Sequence, residues 1–387
     1  MKSVRMIFLW IGLAWPLAGL AADAAPGGAG GTDSRVRSMG RAWLESNDGI
    51  GLSIGIYDGT ERRFYNFGTT QLDGNRAPTK DTVYEIGSIS KTFTGQLLAR
   101  AIVEGRATLN DPAEKYLPDK YPNFTKEGET IKLLNLANMT SQLVDNVPDV
   151  TQVRMVPGEP LAATRMKVIG KYTQEEFLTQ LHRVAPRAVP GSEPAHSNVA
   201  SMLLGVILEK IYGEPFDTIL QREIEKPLRM GSGTQPNDKL LAKGYTRANE
   251  PLPGFSAKMS WASGSLRYSV DDLLRFASWQ LAEPDASTKV AHQPTWSTLD
   301  KRQSVALYWI ISETPLGRRL QYSGGTYGFE SAIELYPDVH LAVVLLSNKA
   351  ADGAQESLRA LSAKIVEVLR PEALTNPRPA DVPPAGR

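Results

Sequence analysis

The chain has 387 residues, of which 42% are hydrophobic, which is enough to build one large core or two moderate ones. Its formal net charge of +1 excludes the strongly basic balance of nucleic-acid binders and of polybasic membrane arms. The absence of cysteine excludes disulfides, thiolate zinc sites and a cysteine nucleophile, and the four histidines do not pair at metal-ligand spacing. We therefore expect no metal site, and the serine chemistry predicted below implies no metal or organic cofactor.

Residues 1–24 have the pattern of a secretory signal peptide. Lys2 and Arg5 precede an apolar run from Met6 to Leu20, which is too short to span a membrane and is followed at once by small residues suited to cleavage. An uncleaved membrane anchor is the alternative. We expect export to a bacterial periplasm without a stable membrane anchor.

Two further terminal segments have the composition of disordered chain. Residues 25–34 are rich in Gly and Ala, and residues 371–387 form a Pro-rich tail with little apolar content. Residues 35–370 contain no internal repeat and no clear linker, so we predict that they form one domain.

Strand patterns occur at both ends of this domain. Ile50 to Tyr57 alternates in polarity, and Arg62 to Gly68 follows after Asp58-Gly59, which is a hairpin signal. Near the C-terminus the sequence predicts four more strands and then a closing helix, at residues 305–311, 318–323, 330–336, 341–347 and 354–369.

The middle of the domain has helical periodicity instead. Apolar side chains share one face from Ser88 to about Glu104 and again over Val199–Tyr212, where Gly213 is the stop signal. We expect an α+β fold in which both ends of the chain build one antiparallel sheet flanked by helices. Residues from about 95 to 250 would form a largely helical inserted subdomain.

Ser88-Ile89-Ser90-Lys91 places a lysine three residues after a serine at the start of a predicted helix. Positions i and i+3 share a helix face, so the Lys91 amine can reach the Ser88 hydroxyl. A helix N-terminus and burial both disfavour positive charge, and they push Lys91 toward the neutral form that accepts a proton. A serine hydroxyl needs such a base before it attacks a carbonyl. Taken alone, the tetrapeptide is better explained by a helix-capping serine and a solvated lysine.

Further motifs surround this tetrapeptide in a fixed order. They are Glu85 to Gly95, Leu109-Asn110-Asp111-Pro112, Lys115-Tyr116-Leu117-Pro118, Ile131 to Ala137, Ser260 to Leu266 with Asp271 to Phe276, and Pro337 to Asn348. Over about residues 35–368 they resemble the serine β-lactamase and penicillin-binding-protein superfamily, which includes class C β-lactamases, DD-peptidases, D-aminopeptidases and related carboxylesterases. The resemblance implies a β-lactamase/transpeptidase-like fold, with Ser88 as nucleophile and Lys91 as general base.

The Tyr-x-Asn element of that superfamily aligns with His196-Ser197-Asn198. The resemblance implies that Asn198 hydrogen-bonds the lysine and the substrate amide. The tyrosine, which relays protons to the leaving group in the family, is replaced by His196. Histidine can do this work because it donates and accepts protons near neutral pH. The alternative is a loop histidine in a protein that has lost activity.

The Lys-Thr-Gly or His-x-Gly strand of the family aligns with Tyr322-Ser323-Gly324, which is followed by Gly325. These four residues would border the substrate, and the resemblance implies an oxyanion hole made by the N–H groups of Ser88 and Gly325. The basic first residue, which helps to hold a substrate carboxylate, is missing. Tyr322 is either an ordinary strand aromatic or a replacement for the missing tyrosine.

These features predict an exported serine hydrolase that cleaves an ester or amide bond through an acyl-Ser88 intermediate. Its substrates would be small molecules or peptides, with peptidoglycan-derived, D-amino-acid and β-lactam-like compounds among them. The alternative is a catalytically impaired relative that binds peptidoglycan or a peptide without turnover. Asp145–Lys171 is predicted to be a loop that either borders the cleft or lies plainly on the surface.

Overall fold

The computed structural model describes residues 29–371, so the predicted signal peptide and nearly all of the Pro-rich tail lie outside the described residues. The helices in this part are α1 Ala29–Ser46, α2 Ser90–Val103, α3 Leu133–Ala137, α4 Leu161–Gly170, α5 Gln174–Leu181, α6 Asn198–Tyr212, α7 Phe216–Leu220, α8 Lys226–Leu228, α9 Val270–Ala282, α10 Ala286–His292 and α11 Ala354–Leu369. The strands are β1 Gly51–Tyr57, β2 Arg62–Gly68, β3 Val83–Glu85, β4 Thr125–Lys126, β5 Glu129–Thr130, β6 Gly244–Tyr245, β7 Pro251–Leu252, β8 Arg267–Ser269, β9 Trp296–Ser297, β10 Gln303–Val305, β11 Ile310–Thr314, β12 Gly317–Gly325, β13 Glu330–Tyr336 and β14 Leu341–Ser347.

Eight of these strands form one antiparallel sheet in the order β2-β1-β14-β13-β12-β11-β10-β9. The N-terminal strand β1 pairs along its length with the last strand, β14, with Ile54 opposite Leu345. The prediction of one sheet built from both ends of the chain is therefore confirmed. The chain leaves this sheet after Gly68 and returns to it at Trp296, and helices α3 to α8 lie within the predicted insert.

Each face of the sheet packs against helices. On one face, α1 and α11 contribute side chains such as Trp43 and Ile365 to a cluster with Leu345. On the other face, a larger cluster joins the sheet to the helical region, with Phe93 of α2 and Phe276 of α9 stacked at a centroid distance of 4.0 Å. Burial of these apolar faces stabilises the layers and fixes where α2 begins relative to the sheet.

The structure differs from two expectations about local structure. Of the segment 25–34, which was predicted to be disordered, residues 29–34 belong to helix α1, and residues 25–28 lie outside the described residues. The first turns of α1 are anchored because the Tyr65 hydroxyl donates to the Asp33 carboxylate at 2.5 Å and Val36 is fully buried. The high Gly content of the segment predicted disorder because neither of these contacts is visible in the local sequence.

The predicted strand at 305–311 is two strands, β10 and β11, separated by residues 306–309. Tyr308 has a φ of 63° and its N–H donates to Ala137 O at 2.8 Å, while Leu307 N–H donates to Ala291 O at 3.2 Å. The segment therefore bonds to the helical region. Its unbroken apolar run reflects burial rather than a strand, which periodicity alone does not distinguish.

The excursion from Asp145 to Lys171 also contains more structure than the predicted loop. Its last part is helix α4, whose Ala163 and Met166 are buried against Leu252 and Phe255. Tyr327, which follows β12, packs against the same cluster.

A search of the helices in the described part of the chain finds none with the length and the apolar character that a membrane span needs.

Candidate active site

Ser88 lies in a tight turn between strand β3 and helix α2. Gly87 has a φ of 53°, and a Cβ there would come within 2.5 Å of Gly325 N, so only glycine lets this turn approach strand β12. Two hydrogen bonds hold the turn: Ser90 Oγ donates to Gly87 O at 2.7 Å, and Leu266 N–H donates to Ser90 Oγ at 3.3 Å. Ser88 itself keeps partial exposure at the start of the helix.

The ammonium nitrogen of Lys91 is 2.9 Å from Ser88 Oγ. Lys91 is only 1% exposed, and its Nζ also contacts Asn198 Oδ1 at 2.6 Å and Ser263 O at 2.6 Å. Burial lowers the pKa of Lys91 from 10.5 to about 7, although the negative charge of Asp145 opposes this effect. Near neutral pH, Lys91 can therefore exist as a neutral amine beside a serine hydroxyl.

Asn198 is delivered to Lys91 by the N-terminus of helix α6. Ser197 caps this helix, because its Oγ accepts from Ala200 N–H at 3.0 Å and donates to Val144 O at 2.7 Å. The Asn198 N–H donates to Asp145 O at 2.8 Å. The role of Ser197, which no motif explained, is thus to hold the helix end that carries Asn198.

His196 precedes this helix and pairs with a carboxylate. Its Nδ1 is 2.7 Å from Asp145 Oδ1. Burial acts to raise the pKa of Asp145, but the His196 hydrogen bond and the charges of His196 and Lys91 hold that pKa below its ordinary value. His196 and Asp145 therefore form an acid–base pair in the electrostatic field of Lys91.

The end of strand β12 lies against the Ser88 turn. A Cβ on Gly324 would come within 2.7 Å of Ser88 N and 2.1 Å of Ile86 O, so the two backbones are in direct contact. Thr326 N–H donates to Phe329 O at 2.9 Å, and bonded and non-bonded pairs alternate in an antiparallel ladder. The next pair, Gly325 with Glu330, is therefore non-bonded, and the Gly325 N–H points away from β13.

That direction is toward the open side of β12, because the pairing of β11 with β12 reaches only to Gln321. The N–H groups of Ser88 and Gly325 thus lie at the same contact between the turn and the strand. Two adjacent amides of this kind can bind a developing oxyanion. Ser323, on the same open edge, is partly exposed.

Comparisons with known proteins give the family. The family model described as "Beta-lactamase" matches residues 36–367. The chain belongs to the Beta-lactamase family. It is 26% identical over 318 residues to the D-alanyl-D-alanine-carboxypeptidase/endopeptidase AmpH of Escherichia coli (strain K12), covering 78% of this chain and 80% of that protein. It is 22% identical over 362 residues to a beta-lactamase of Pseudomonas fluorescens, covering 84% and 94%.

Solved structures of the family share the fold. A beta-lactamase/D-alanine carboxypeptidase from Pseudomonas syringae superposes with a TM-score of 0.72 at 21% identity, covering 87% of this chain and 98% of that one. A class C beta-lactamase superposes with a TM-score of 0.73 at 19% identity, covering 87% and 96%. The predicted β-lactamase-like α+β fold is confirmed, and the chain is a serine hydrolase of the Beta-lactamase family.

Tyr322 stands at the position where the sequence resemblance leads us to expect a basic residue. It is buried in the core, and its hydroxyl contacts Met139 Sδ at 3.5 Å. Burial, with the negative charge of Asp145 adding to it, raises the pKa of Tyr322 well above its ordinary value. Tyr322 therefore keeps its proton and offers no charge to a substrate carboxylate.

Two cations of β12 and one that follows β14 are bound by other groups. Arg318 Nη2 is 2.7 Å from Glu283 Oε1, and Arg319 Nε donates to Ser312 Oγ at 3.2 Å. Lys349 is buried and binds the backbone carbonyl and the carboxylate of Asp48. None of these three residues therefore supplies the cation that the sequence resemblance leads us to expect at the position of Tyr322.

Sequence reasoning missed three residues of the site. Ser263 O binds Lys91, and Asp145 binds His196; neither contact leaves a local pattern, although Ser263 lies within a family-like segment. Glu85 is buried behind the nucleophile, where it accepts from Phe255 N–H and Thr326 Oγ1, each at 2.7 Å. Its position three residues before Ser88 is the one signal that could have identified it. Within residues 29–371 no cluster of His, Asp and Glu could hold a metal ion.

Proposed function

We propose that this protein is an exported serine hydrolase in which Ser88 forms an acyl-enzyme with an ester or amide substrate and Lys91 is the general base. The single observation that carries the proposal is the 2.9 Å contact of Ser88 Oγ with the buried Lys91 Nζ, whose pKa lies at about 7. A base poised near the working pH is what nucleophile activation requires. Export rests on the signal-like pattern of residues 1–24 alone.

In the acylation half-reaction, neutral Lys91 takes the Ser88 proton while Oγ bonds to the substrate carbonyl carbon. The oxyanion is stabilised by the N–H groups of Ser88 and Gly325. The bond to the leaving group then breaks, and the leaving oxygen or nitrogen receives the proton from Lys91. Asn198 fixes the Lys91 amine and has a second contact, from its Nδ2 to Asn146 Oδ1 at 2.9 Å. Water hydrolyses the acyl-enzyme in the second half-reaction.

The substrate class follows from the missing cation. A hydrogen bond to a charged group contributes on the order of 1.5–3 kcal/mol, which corresponds to ten-fold or more in preference. Because Tyr322 supplies no charge, we propose that uncharged acyl substrates are favoured over those with a carboxylate beside the scissile bond. Peptides ending in D-alanine, which the name of the AmpH relative indicates for that protein, and β-lactams are the carboxylate-bearing comparators.

The test is a substrate panel on the full mature chain. We expect p-nitrophenyl butyrate to be cleaved with a higher kcat/KM than a chromogenic cephalosporin or a D-alanyl-D-alanine peptide. Hydrolysis of the cephalosporin at β-lactamase rates would contradict the assignment, since another cation would then have to bind its carboxylate.

The family tyrosine and the family cation are both replaced, which favours a second candidate function. This candidate is a binder of peptidoglycan or peptide without turnover. Cleavage of no member of the panel, together with saturable binding of the D-alanyl peptide, would support it over the hydrolase.

A further inference from the structure

We propose that Asp145 is a positioning residue that holds His196 as the base of the deacylation step, so that Lys91 and His196 are the two bases of the site and His196 stands in place of the family's tyrosine. This inference rests on the proposed function, in which Lys91 is the base for acylation and no base is assigned to hydrolysis of the acyl-enzyme. It begins from one contact, the 2.7 Å approach of His196 Nδ1 to Asp145 Oδ1.

That contact selects one tautomer of the neutral imidazole. When the ring carries a single proton, a carboxylate that accepts from Nδ1 places that proton on Nδ1 and leaves Nε2 as the acceptor. The His196 side chain is 29% exposed, and no hydrogen bond to its Nε2 is formed within residues 29–371. Nε2 is therefore open to water or to a substrate atom.

The position of the pair relative to the nucleophile comes from helix α6. His196 stands two residues before Asn198, whose side chain binds the same Lys91 Nζ that contacts Ser88. The Asp145 backbone carbonyl accepts from Asn198 N–H and from Val199 N–H, at 2.8 and 3.2 Å. The residue that orients His196 thus also anchors the segment that delivers Asn198.

The charge of Asp145 reaches the other titratable groups of the site. It opposes the lowering of the pKa of Lys91, and it contributes to the raised pKa of Tyr322. The groups that face Asp145 are therefore Lys91, His196 and Tyr322. Of these, Tyr322 keeps its proton, so Lys91 and His196 are the two bases of the cluster.

The deacylation step balances with these residues. A water molecule gives its proton to His196 Nε2, and the resulting hydroxide bonds to the acyl carbon. The bond between that carbon and Ser88 Oγ breaks, and Oγ takes the proton from the imidazolium. Asp145 stays ionised throughout and stabilises the imidazolium through Nδ1–H.

The kinetic test separates acylation from deacylation by stopped-flow with p-nitrophenyl butyrate. Asp145→Asn keeps the backbone carbonyl contacts and removes the charge. We expect it to slow deacylation by about 10²-fold or more while acylation changes by less than about three-fold, so that butyryl-enzyme accumulates as a burst. The acid limb of the acylation rate should move to lower pH, because the charge that supports protonated Lys91 is lost.

Matched variants identify the partner of Asp145. Asp149→Asn makes the same change on the same excursion, at an exposed carboxylate that accepts from Thr151 N–H, and should deacylate like the wild type. His196→Tyr restores the family residue, and adding Asp145→Asn to it should have little further effect on deacylation. An undiminished effect of Asp145→Asn in the His196→Tyr background would overturn the proposal.

A spectroscopic readout does not depend on turnover. In protein labelled with ¹⁵N-histidine, we expect the His196 ring to show Nδ1–H in the wild type and a mixture of tautomers in Asp145→Asn. If Asp145→Asn is still acylated at Ser88 and then deacylates at the wild-type rate, the inference is refuted. Failure of wild-type Ser88 to acylate would instead refute the proposed function, and the tautomer measurement would still report on the Asp145 contact.

Discussion

Lys91 should control the pH dependence of acylation. Burial lowers its pKa to about 7, so at pH 7 about half of the molecules carry a neutral amine. An ordinary lysine with a pKa near 10.4 would be neutral in less than about one molecule in a thousand at that pH, so burial gains about three orders of magnitude in active base. Below pH 7 the neutral fraction falls about ten-fold per pH unit.

The assay is the pre-steady-state acylation rate with p-nitrophenyl butyrate between pH 5 and 9. We expect a single acid limb near pH 7 and a rate at pH 5 about 50-fold below the rate at pH 7. Lys91→Arg should be nearly inactive at every pH, since a guanidinium does not give up its proton in this range. A flat profile, or near-normal acylation by Lys91→Arg, would refute the reasoning.

The same burial has a consequence for stability. The pKa of Lys91 is lower in the folded than in the unfolded chain, so between about pH 7 and 10 the unfolded state binds more protons and stability rises with pH. Relative to Lys91→Met, the wild type should gain about 2 kcal/mol in the free energy of unfolding from pH 7 to 9. As a control, the difference in free energy of unfolding between the wild type and Lys210→Met, a change at an exposed lysine, should not rise in this way from pH 7 to 9.

Two further predictions concern residues around the nucleophile. Tyr322→Lys should narrow the gap in kcat/KM between p-nitrophenyl butyrate and a cephalosporin. Tyr322→Phe loses only a hydroxyl bonded to a thioether, so it should lower kcat less than His196→Ala does. The reverse order would make Tyr322 the proton relay. Burial raises the pKa of Glu85 to about 7, so its ionisation lowers stability as pH rises from 4.5 through 7. Glu85→Gln should therefore gain about 3 kcal/mol relative to the wild type between pH 4.5 and 8 in chemical denaturation, and a pH-independent difference would contradict the burial of a titrating carboxyl.

The sequence was informative where the chemistry and the local periodicity coincide. Lys91 lies in the first turn of α2 and Ser88 lies three residues earlier, in the turn that leads into this helix, so the two side chains meet as the spacing predicted. Apolar periodicity and the stop signal at Gly213 predicted a helix over Val199–Tyr212, and α6 begins one residue earlier, at Asn198. The strand patterns at both chain ends predicted that these ends build one sheet. These features depend on near neighbours in sequence, which a single chain makes visible.

The remaining parts of the site depend on contacts between distant segments. Asp145 is 51 residues from His196, and the carbonyl of Ser263 is 172 residues from Lys91, so neither contact has a periodic signal. The residues 306–309 form a buried connection rather than a strand because Tyr308 adopts a left-handed conformation and bonds to Ala137. Tertiary packing decided each of these outcomes.

The intact mass of the protein after treatment with a fluorophosphonate tests directly whether Ser88 is the nucleophile. We expect one covalent adduct on the wild type, located at Ser88 by peptide mapping. Ser88→Ala should remain unlabelled while keeping the wild-type melting temperature within a few degrees. Ser90→Ala, which changes a serine two residues away whose hydroxyl donates to Gly87 O, should still be labelled. Persistent labelling of Ser88→Ala, or no adduct on the wild type, would contradict the account.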